Sequence, residues 1–229
     1  SGAAATGEDR RVTTRDVQLL PKQRQFLRSV APNNLYSGAV RAGKTVALCW
    51  KTCIRASVPN SREALVRKHN VTLKATTLVT LLQGDGMNPP ILPPGSYDWH
   101  KADQVISLHG GGEIVYFGLD DVQKIGSRSL TGANIDEAVE VDEGDWDMLQ
   151  TRVSLEVPGL PQQVNGACNP GPPGHFLAQR FGLALGQQAQ PDHESIHTHS
   201  AENSFLTRAY LDRINRLKGS MYERLVRGR

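Results

Sequence analysis

Residues 36–45 read "YSGAVRAGKT". Gly38, four residues and then Gly43-Lys44-Thr45 complete the pattern of a phosphate-binding loop. Each part of the pattern has a physical job. Glycines let the backbone curl until successive N–H groups point inward at phosphate oxygens. The loop runs into a helix N-terminus, where unpaired N–H groups and the helix dipole favour anions. Lys44 is the residue that reaches the β- and γ-phosphates, and the Thr45 hydroxyl is the magnesium ligand. A glycine turn with an exposed lysine would need the same letters but not the same flanks. Here "NNLYSGAV" (33–40) reads as a short strand entering the turn, and "KTVALCWKTCIRAS" (44–57) as an amphipathic helix leaving it. Gly38, Ala39, Val40, Arg41, Ala42, Gly43, Lys44 and Thr45 are therefore assigned to the nucleotide.

The rest of the chain alternates in the same way. "EALVRKH" (63–69) is a strand, "VTLKATTLVTLLQ" (71–83) a helix and "GDGMNPPILPPG" (84–95) a proline-fixed loop. "QVISLHGGGEIVYFG" (104–118) is a hairpin, and "GANIDEA" (132–138) is a short strand ending in carboxylates. A helix over 144–155, a strand over 162–170 and a helical, basic segment over 209–229 complete the pattern. Strands separated by helices predict an α/β fold with a mainly parallel central sheet flanked by helices. The expected organisation is a disordered tail at 1–15, a core over 16–190 and a small C-terminal lid or linker subdomain over 191–229.

Composition restricts the function classes. Of 229 residues, 38% are hydrophobic and 21% charged, as in soluble globular chains. No apolar run reaches the length of a membrane span, so no membrane role is expected. A net charge of +3 permits nucleic-acid binding without arguing for it. The basic residues Arg208, Arg213, Arg216, Lys218, Arg224, Arg227 and Arg229 gather at the C-terminus against Asp212 and Glu223, as on a solvated helix face. Three cysteines without framework spacing fit a reducing compartment. His193, His197 and His199 lack the companion ligands of a zinc site.

Hydrolysis needs a second magnesium anchor and a group that orients or deprotonates water. "NIDEA" places two acids at a strand end: Asp136 to hold magnesium through water, Glu137 to polarise the attacking water. Asp142-Glu143 in "VEVDEGDW" is the rival pair. The first is preferred because 142–147 reads as a helix start, where acids complement the dipole.

Taken together, these segments resemble the ATPase domain of the large terminase subunit, the DNA-packaging motor of tailed bacteriophages. "LLPKQRQFL" (19–27) is similar to its adenine-binding segment, and the resemblance makes Gln23 the base-reading residue. "GAVRAGKT" resembles its P-loop, including the arginine at Arg41. "SLTGANIDEAVEVDEGDWDMLQTRVS" (129–154) looks like its Walker B segment. "GACNPGPPGHFLAQRF" (166–181) is similar to its coupling motif, although Ala167-Cys168 stand where Thr-Ser is common. Asn169 is carried over as the γ-phosphate sensor. "AENSFLTRAYLDRIN" (201–215) resembles the segment after the core sheet.

The resemblance implies a P-loop NTPase that uses ATP and Mg2+ to move double-stranded DNA into a procapsid. It further implies a ring of subunits on a portal protein, a small terminase subunit as partner, and action in the host cell cytoplasm during virion assembly. It places an arginine finger at Arg128, supplied to a neighbouring subunit, with Arg41 in cis as the alternative. The family's nuclease needs a carboxylate cluster, and the carboxylates after residue 181 are too few for one, so an isolated ATPase domain is expected. Two other readings are a helicase-like or repair motor and a nucleotide-switched assembly module with little turnover.

Overall fold

The computed structural model describes residues 17–84, 88–120, 128–184, 186–223 and 226. The expected tail at 1–15 lies outside them. Helix α1 (Pro21–Arg28) precedes strand β1 (Asn33–Gly38), the glycine loop and helix α2 (Lys44–Ala56). Strand β2 (Arg62–Arg67) leads to a helical rod made of α3 (Asn70–Thr72), a π segment (Leu73–Thr77) and α4 (Leu78–Leu82). Then come β3 (Tyr97–His100), β4 (Val105–Leu108), β5 (Glu113–Gly118) and β6 (Gly132–Asp136). The remainder is α5 (Glu143–Arg152), β7 (Gln163–Cys168), α6 (Phe176–Arg180), β8 (His193–Thr198), α7 (Arg208–Ile214) and α8 (Gly219–Tyr222).

The strands form one sheet in the order β3-β4-β5-β2-β6-β7-β1-β8. From β5 to β8 every pairing is parallel, and only the β3-β4-β5 edge is antiparallel. The mainly parallel α/β sheet expected from the sequence is the observed architecture. Alternation of side chains sends neighbours to opposite faces. Tyr36, Leu65 and Tyr116 pack with Phe26, Leu48, Leu73 and Leu81 under α1, α2 and the α3–α4 rod. Leu35, Val66 and Phe117 pack with Trp146, Leu149, Phe176 and Phe181 under α5 and α6. Trp146 is fully buried and donates from its indole N–H to Asn33 at 3.1 Å.

Three details depart from the sequence reading. Strand β3 was not expected, because "YDWH" is only four residues long, and three of the four are exposed. The core does not stop at residue 190: β8 pairs with β1 along its whole length, from Asn33↔His193 to Gly38↔Thr198. The segment after the sheet therefore begins near His199, not at 191. The helix expected from 209 is broken into α7 and α8, with Gly219 at φ +63°.

One buried cation sets a pH dependence. Lys51 on α2 is 2% exposed and donates to the Phe26 carbonyl at 2.9 Å and the Ser29 carbonyl at 3.0 Å, capping the end of α1. Burial lowers its pKa from 10.5 to about 7, with Arg55 adding to the shift and Glu194 and Glu63 opposing it. Between those values the unfolded chain holds a proton that the folded chain has lost. Stability from this group therefore rises with pH across the window, and is absent below about 7. The buried thiols, with Cys168 pushed up to about 12, act in the opposite direction. The difference between wild type and Lys51→Met isolates the lysine. In urea denaturation it should grow by at most about 1.4 kcal/mol per pH unit above pH 7. A flat difference would mean that Lys51 stays charged in the fold.

Candidate active site

The loop between β1 and α2 is held open by backbone contacts that only glycine permits. A Cβ at Gly38 would lie 2.1 Å from the Thr198 carbonyl oxygen on β8. Gly43 takes φ +72° as the N-cap of α2, and a Cβ there would lie 2.4 Å from Gln23 Nε2. Ala39 N–H donates to Thr198 at 3.0 Å, so the loop hangs from the sheet at its first turn. A cavity of about 210 Å³ opens above it, lined by Val40 to Val46, Thr80, Glu137 and Asn169. Lys44, 9% exposed, donates to the Ala39 carbonyl. Burial lowers its pKa, and Glu137, Cys168 and Asp136 counteract this.

The first acid pair closes on this loop. Asp136 ends β6, next to β7 and two strands from β1. Its carboxylate is 2% exposed and accepts from Thr45 Oγ1 at 3.0 Å and from Thr77 Oγ1 at 2.6 Å. Burial raises its pKa, and the bonds from Thr77 and Thr45 pull it back. Glu137 follows in the left-handed region, φ +49° and ψ +50°, and starts a short 3-10 turn (Ala138–Glu140). That backbone is costly for a residue with a Cβ and is typical of functional sites. Burial and the charge of Asp136 raise the Glu137 pKa, while Lys44 and Arg67 lower it.

The rival pair is elsewhere. Asp142 is the N-cap of α5 and accepts from Asp145 N–H at 2.9 Å. Lys68 bonds to Asp142 at 3.2 Å and Asp145 at 2.6 Å, and Glu143 pairs with Arg180 at 2.7 Å. Both acids serve the start of a helix, and neither lines the loop cavity.

The other expected site residues fall in different places. The Asn169 side-chain oxygen lies at the cavity, buried without a hydrogen-bond partner. Turning the carboxamide over offers its NH2 to a phosphate instead. Gln23, 4% exposed, accepts from Leu20 N–H at 2.8 Å and donates to the Gly43 carbonyl at 2.9 Å. Both ends of its side chain are engaged in holding the loop. Arg41 takes φ +55° and lines the cavity, with its guanidinium 4.7 Å from the centre of the Tyr210 ring on α7. Its carbonyl accepts from Asn203, and that of Val40 from Ser200 at 2.9 Å. Arg128 is exposed and lies away from its own chain's loop, in a separate concavity with Lys74, Lys101 and Gln104.

Sequence reasoning missed four contributors: Thr77 and Thr80 on the rod, Arg67 at the end of β2, and Tyr210. Threonines inside a helical stretch carry no positional signal. A second cavity, of about 330 Å³, shares Val46 and Thr80 with the first and continues between Val17, Leu19, Trp50, Ile91 and Phe205. Its apolar walls suit a planar ring next to a phosphate cradle.

Known proteins share this fold. The family model described as "Phage terminase large subunit" matches residues 32–226. The structure is similar to the large terminase from a thermophilic bacteriophage, with TM-score 0.73 and 21% identity, covering 93% of this chain and 54% of that one. A complex of that same protein with ATP-gamma-S matches with TM-score 0.70 and 22% identity, over 91% of this chain and 52% of that one. The large terminase ATPase domain of Thermus phage P74-26 matches with TM-score 0.66 and 13% identity, over 91% of this chain and 92% of that one. The chain thus spans about half the length of the first of these terminases. No curated protein matches the sequence.

Proposed function

The chain belongs to the phage terminase large subunit family, and from that premise we propose that it is the ATPase unit of a DNA-packaging motor. It would couple ATP hydrolysis to movement of double-stranded DNA into a viral procapsid, in the host cell cytoplasm during virion assembly. The observation that carries the reading is the 3.0 Å bond from Thr45 to Asp136. It joins the phosphate loop to a buried acid, with Glu137 next in sequence and facing the same cavity.

The residues fit both a nucleoside triphosphate and magnesium. Lys44 would leave the Ala39 carbonyl for the β- and γ-phosphates. Thr45 and Asp136 offer the hard oxygen donors that magnesium takes, Asp136 through water. Magnesium, when bound, neutralises charge on the β- and γ-phosphates. Glu137 would orient the attacking water and draw its proton. Asn169, the orphaned carboxamide, would sense the γ-phosphate. The base would lie in the apolar cavity beyond Val46, and Gln23 would read it only by releasing Leu20 or Gly43. A portal protein, a small terminase subunit and further copies of the chain would complete the machine.

An arginine held away from its own cavity suits a finger supplied to a neighbour. The test is steady-state ATP hydrolysis against protein concentration. Activity per subunit should rise with concentration, and Arg128→Ala should lower the high-concentration rate by about a thousandfold. A flat rate with silent Arg128→Ala would place the finger at Arg41 in cis. Magnesium-independent binding without turnover at any concentration would favour a nucleotide-switched assembly module over a motor.

A further inference from the structure

The acid pair is buttressed by an element to which the nucleotide site gives no role of its own: the π segment Leu73–Thr77. Within it the Leu78 N–H reaches back five residues to the Leu73 carbonyl, a wider turn than the α-helix makes. Such turns inside helices cluster at functional sites. This one carries adjacent threonines with different targets. Thr77 is fully buried on the apolar face of the rod, in the company of Leu73, Leu78 and Leu81. A hydroxyl there has to find a partner, and it donates to Asp136 Oδ2 at 2.6 Å. Thr76, one residue earlier, accepts from Arg67 Nη1 at 2.9 Å. Arg67 grips Glu140 with both arms, Nε to Oε2 and Nη2 to Oε1, each at 3.0 Å. Glu140 ends the 3-10 turn that starts from Glu137, and its N–H closes that turn onto the Glu137 carbonyl at 2.8 Å.

We propose that Thr77 and Arg67 are positioning residues for the two acids, Thr77 acting directly on Asp136 and Arg67 through Glu140 on the turn that carries Glu137. This rests on the proposed ATPase function. The two carboxylate oxygens of Asp136 have separate work. Oδ1 meets Thr45 on the phosphate loop, and Oδ2 is fixed from the opposite element by Thr77. With Thr77 in place, Asp136 is held in one orientation before magnesium arrives. The bidentate grip of Arg67 fixes a planar geometry that lysine cannot reproduce.

The experiment compares Thr77→Val, Thr77→Ser, Arg67→Gln and wild type in two measurements. The first is the rise in melting temperature on adding ADP with magnesium over ADP with a chelator. The second is the magnesium concentration for half-maximal hydrolysis. Thr77→Val keeps the shape and loses the hydroxyl. It should lose the magnesium-specific part of the thermal shift and need about tenfold more magnesium, the usual effect of removing a partner that orients a metal ligand. Thr77→Ser should restore both. Arg67→Gln should lower kcat about tenfold or more while raising the magnesium requirement less than Thr77→Val does, because Arg67 is bonded to the turn that carries Glu137 and reaches Asp136 only through its charge. Equal magnesium responses in Thr77→Val and wild type would overturn the Thr77 assignment. So would Thr77→Ser behaving like Thr77→Val. Unchanged kcat in Arg67→Gln would overturn the other half, and does so even if Thr77→Val does not fold. If wild type itself shows no magnesium-dependent shift with ADP, the ATPase reading falls first and this inference with it.

Discussion

Replacing Glu137 by glutamine is expected to lower hydrolysis at saturating ATP and magnesium by about a hundredfold to ten-thousandfold, the range for loss of a positioned general base. ADP affinity should stay near the wild-type value, since Lys44, Thr45 and the loop N–H groups are untouched. Glutamine keeps the size of the side chain and its left-handed backbone, so the variant tests the charge rather than the fold. The structure gives Glu137 no partner in an ion pair among the described residues, whereas Asp142 and Glu143 are both paired. It also places Glu137 on the wall of the cavity, which Asp142 does not line. Asp142→Ala should therefore leave the rate intact and cost about 1 kcal/mol of stability, the value of a helix N-cap. Hydrolysis that survives Glu137→Gln but not Asp142→Ala would reverse the assignment of the acid pair.

The phosphate loop was legible because its chemistry lies in the backbone. Gly38 is forced by the close approach of the Thr198 backbone, and Gly43 is favoured by its left-handed φ of +72°. The acid pair was harder to read, and the structure supplies the reason. Strand β6 reads "GANID", with too few aliphatics for a central strand, because the space beside it is filled by ions. A Cβ on Gly132 would lie 2.6 Å from Glu63 Oε2 and 2.7 Å from Arg55 Nη2. Asn134 donates to Glu63 at 2.9 Å and accepts from Asn165 at 3.0 Å. The residues that look wrong for a strand are the ones that satisfy a buried ion pair. The same logic hid β3, whose polar residues face solvent, and Thr77, whose hydroxyl is explained only by an acid 59 positions away. The C-terminal boundary was misjudged because β8, "HESIHT", has the composition of a loop. It is nevertheless an edge strand, its glutamate accepting from Ser29 at the end of α1.

The contacts between the C-terminal segment and the loop give the proposed motor a physical connection. Thr198, Ser200, Asn203 and Tyr210 touch Ala39, Val40 and Arg41 in turn. Nucleotide in the loop would compete for the Ala39 N–H and for the same guanidinium, while the Val40 and Arg41 carbonyls would keep their donors. A ligand shifts such an arrangement only by its differential affinity for the two states. The stack of Arg41 on Tyr210 is the contact that an incoming phosphate would break.

Arg55→Ala should be the most damaging substitution for stability, at about 3–5 kcal/mol, the cost of leaving one charge of a buried pair alone. Arg55 lies on the buried face of α2, and its side chain spends four donor bonds on four different partners. Nε meets Glu63 at 3.0 Å, Nη1 meets Gln163 at 2.8 Å, and Nη2 meets the carbonyls of Thr131 at 3.1 Å and Pro161 at 2.9 Å. The side chains of the pair are 5% and 0% exposed, so water cannot replace what is lost. Burial already pushes the Glu63 pKa up, with Arg55 the main opposing influence. Removing the arginine would leave the acid to take up a proton or open the sheet. Removing both charges has a different outcome, because a buried pair and an apolar pair of similar volume are often equal in stability. In a double-mutant cycle by urea denaturation at pH 7, Arg55→Met with Glu63→Leu should be no worse than either single change, so the coupling should be at least as large as the larger single penalty, about 3–5 kcal/mol. An Arg55→Ala penalty within about 1 kcal/mol, or strictly additive single changes, would show that the pair does not hold the sheet. The consequence reaches the active site along one strand. Gly132 and Asn134 sit on the pair, and Asp136 ends the same strand two residues on. The network that made β6 unreadable is thus expected to fix the height at which its acid meets Thr45.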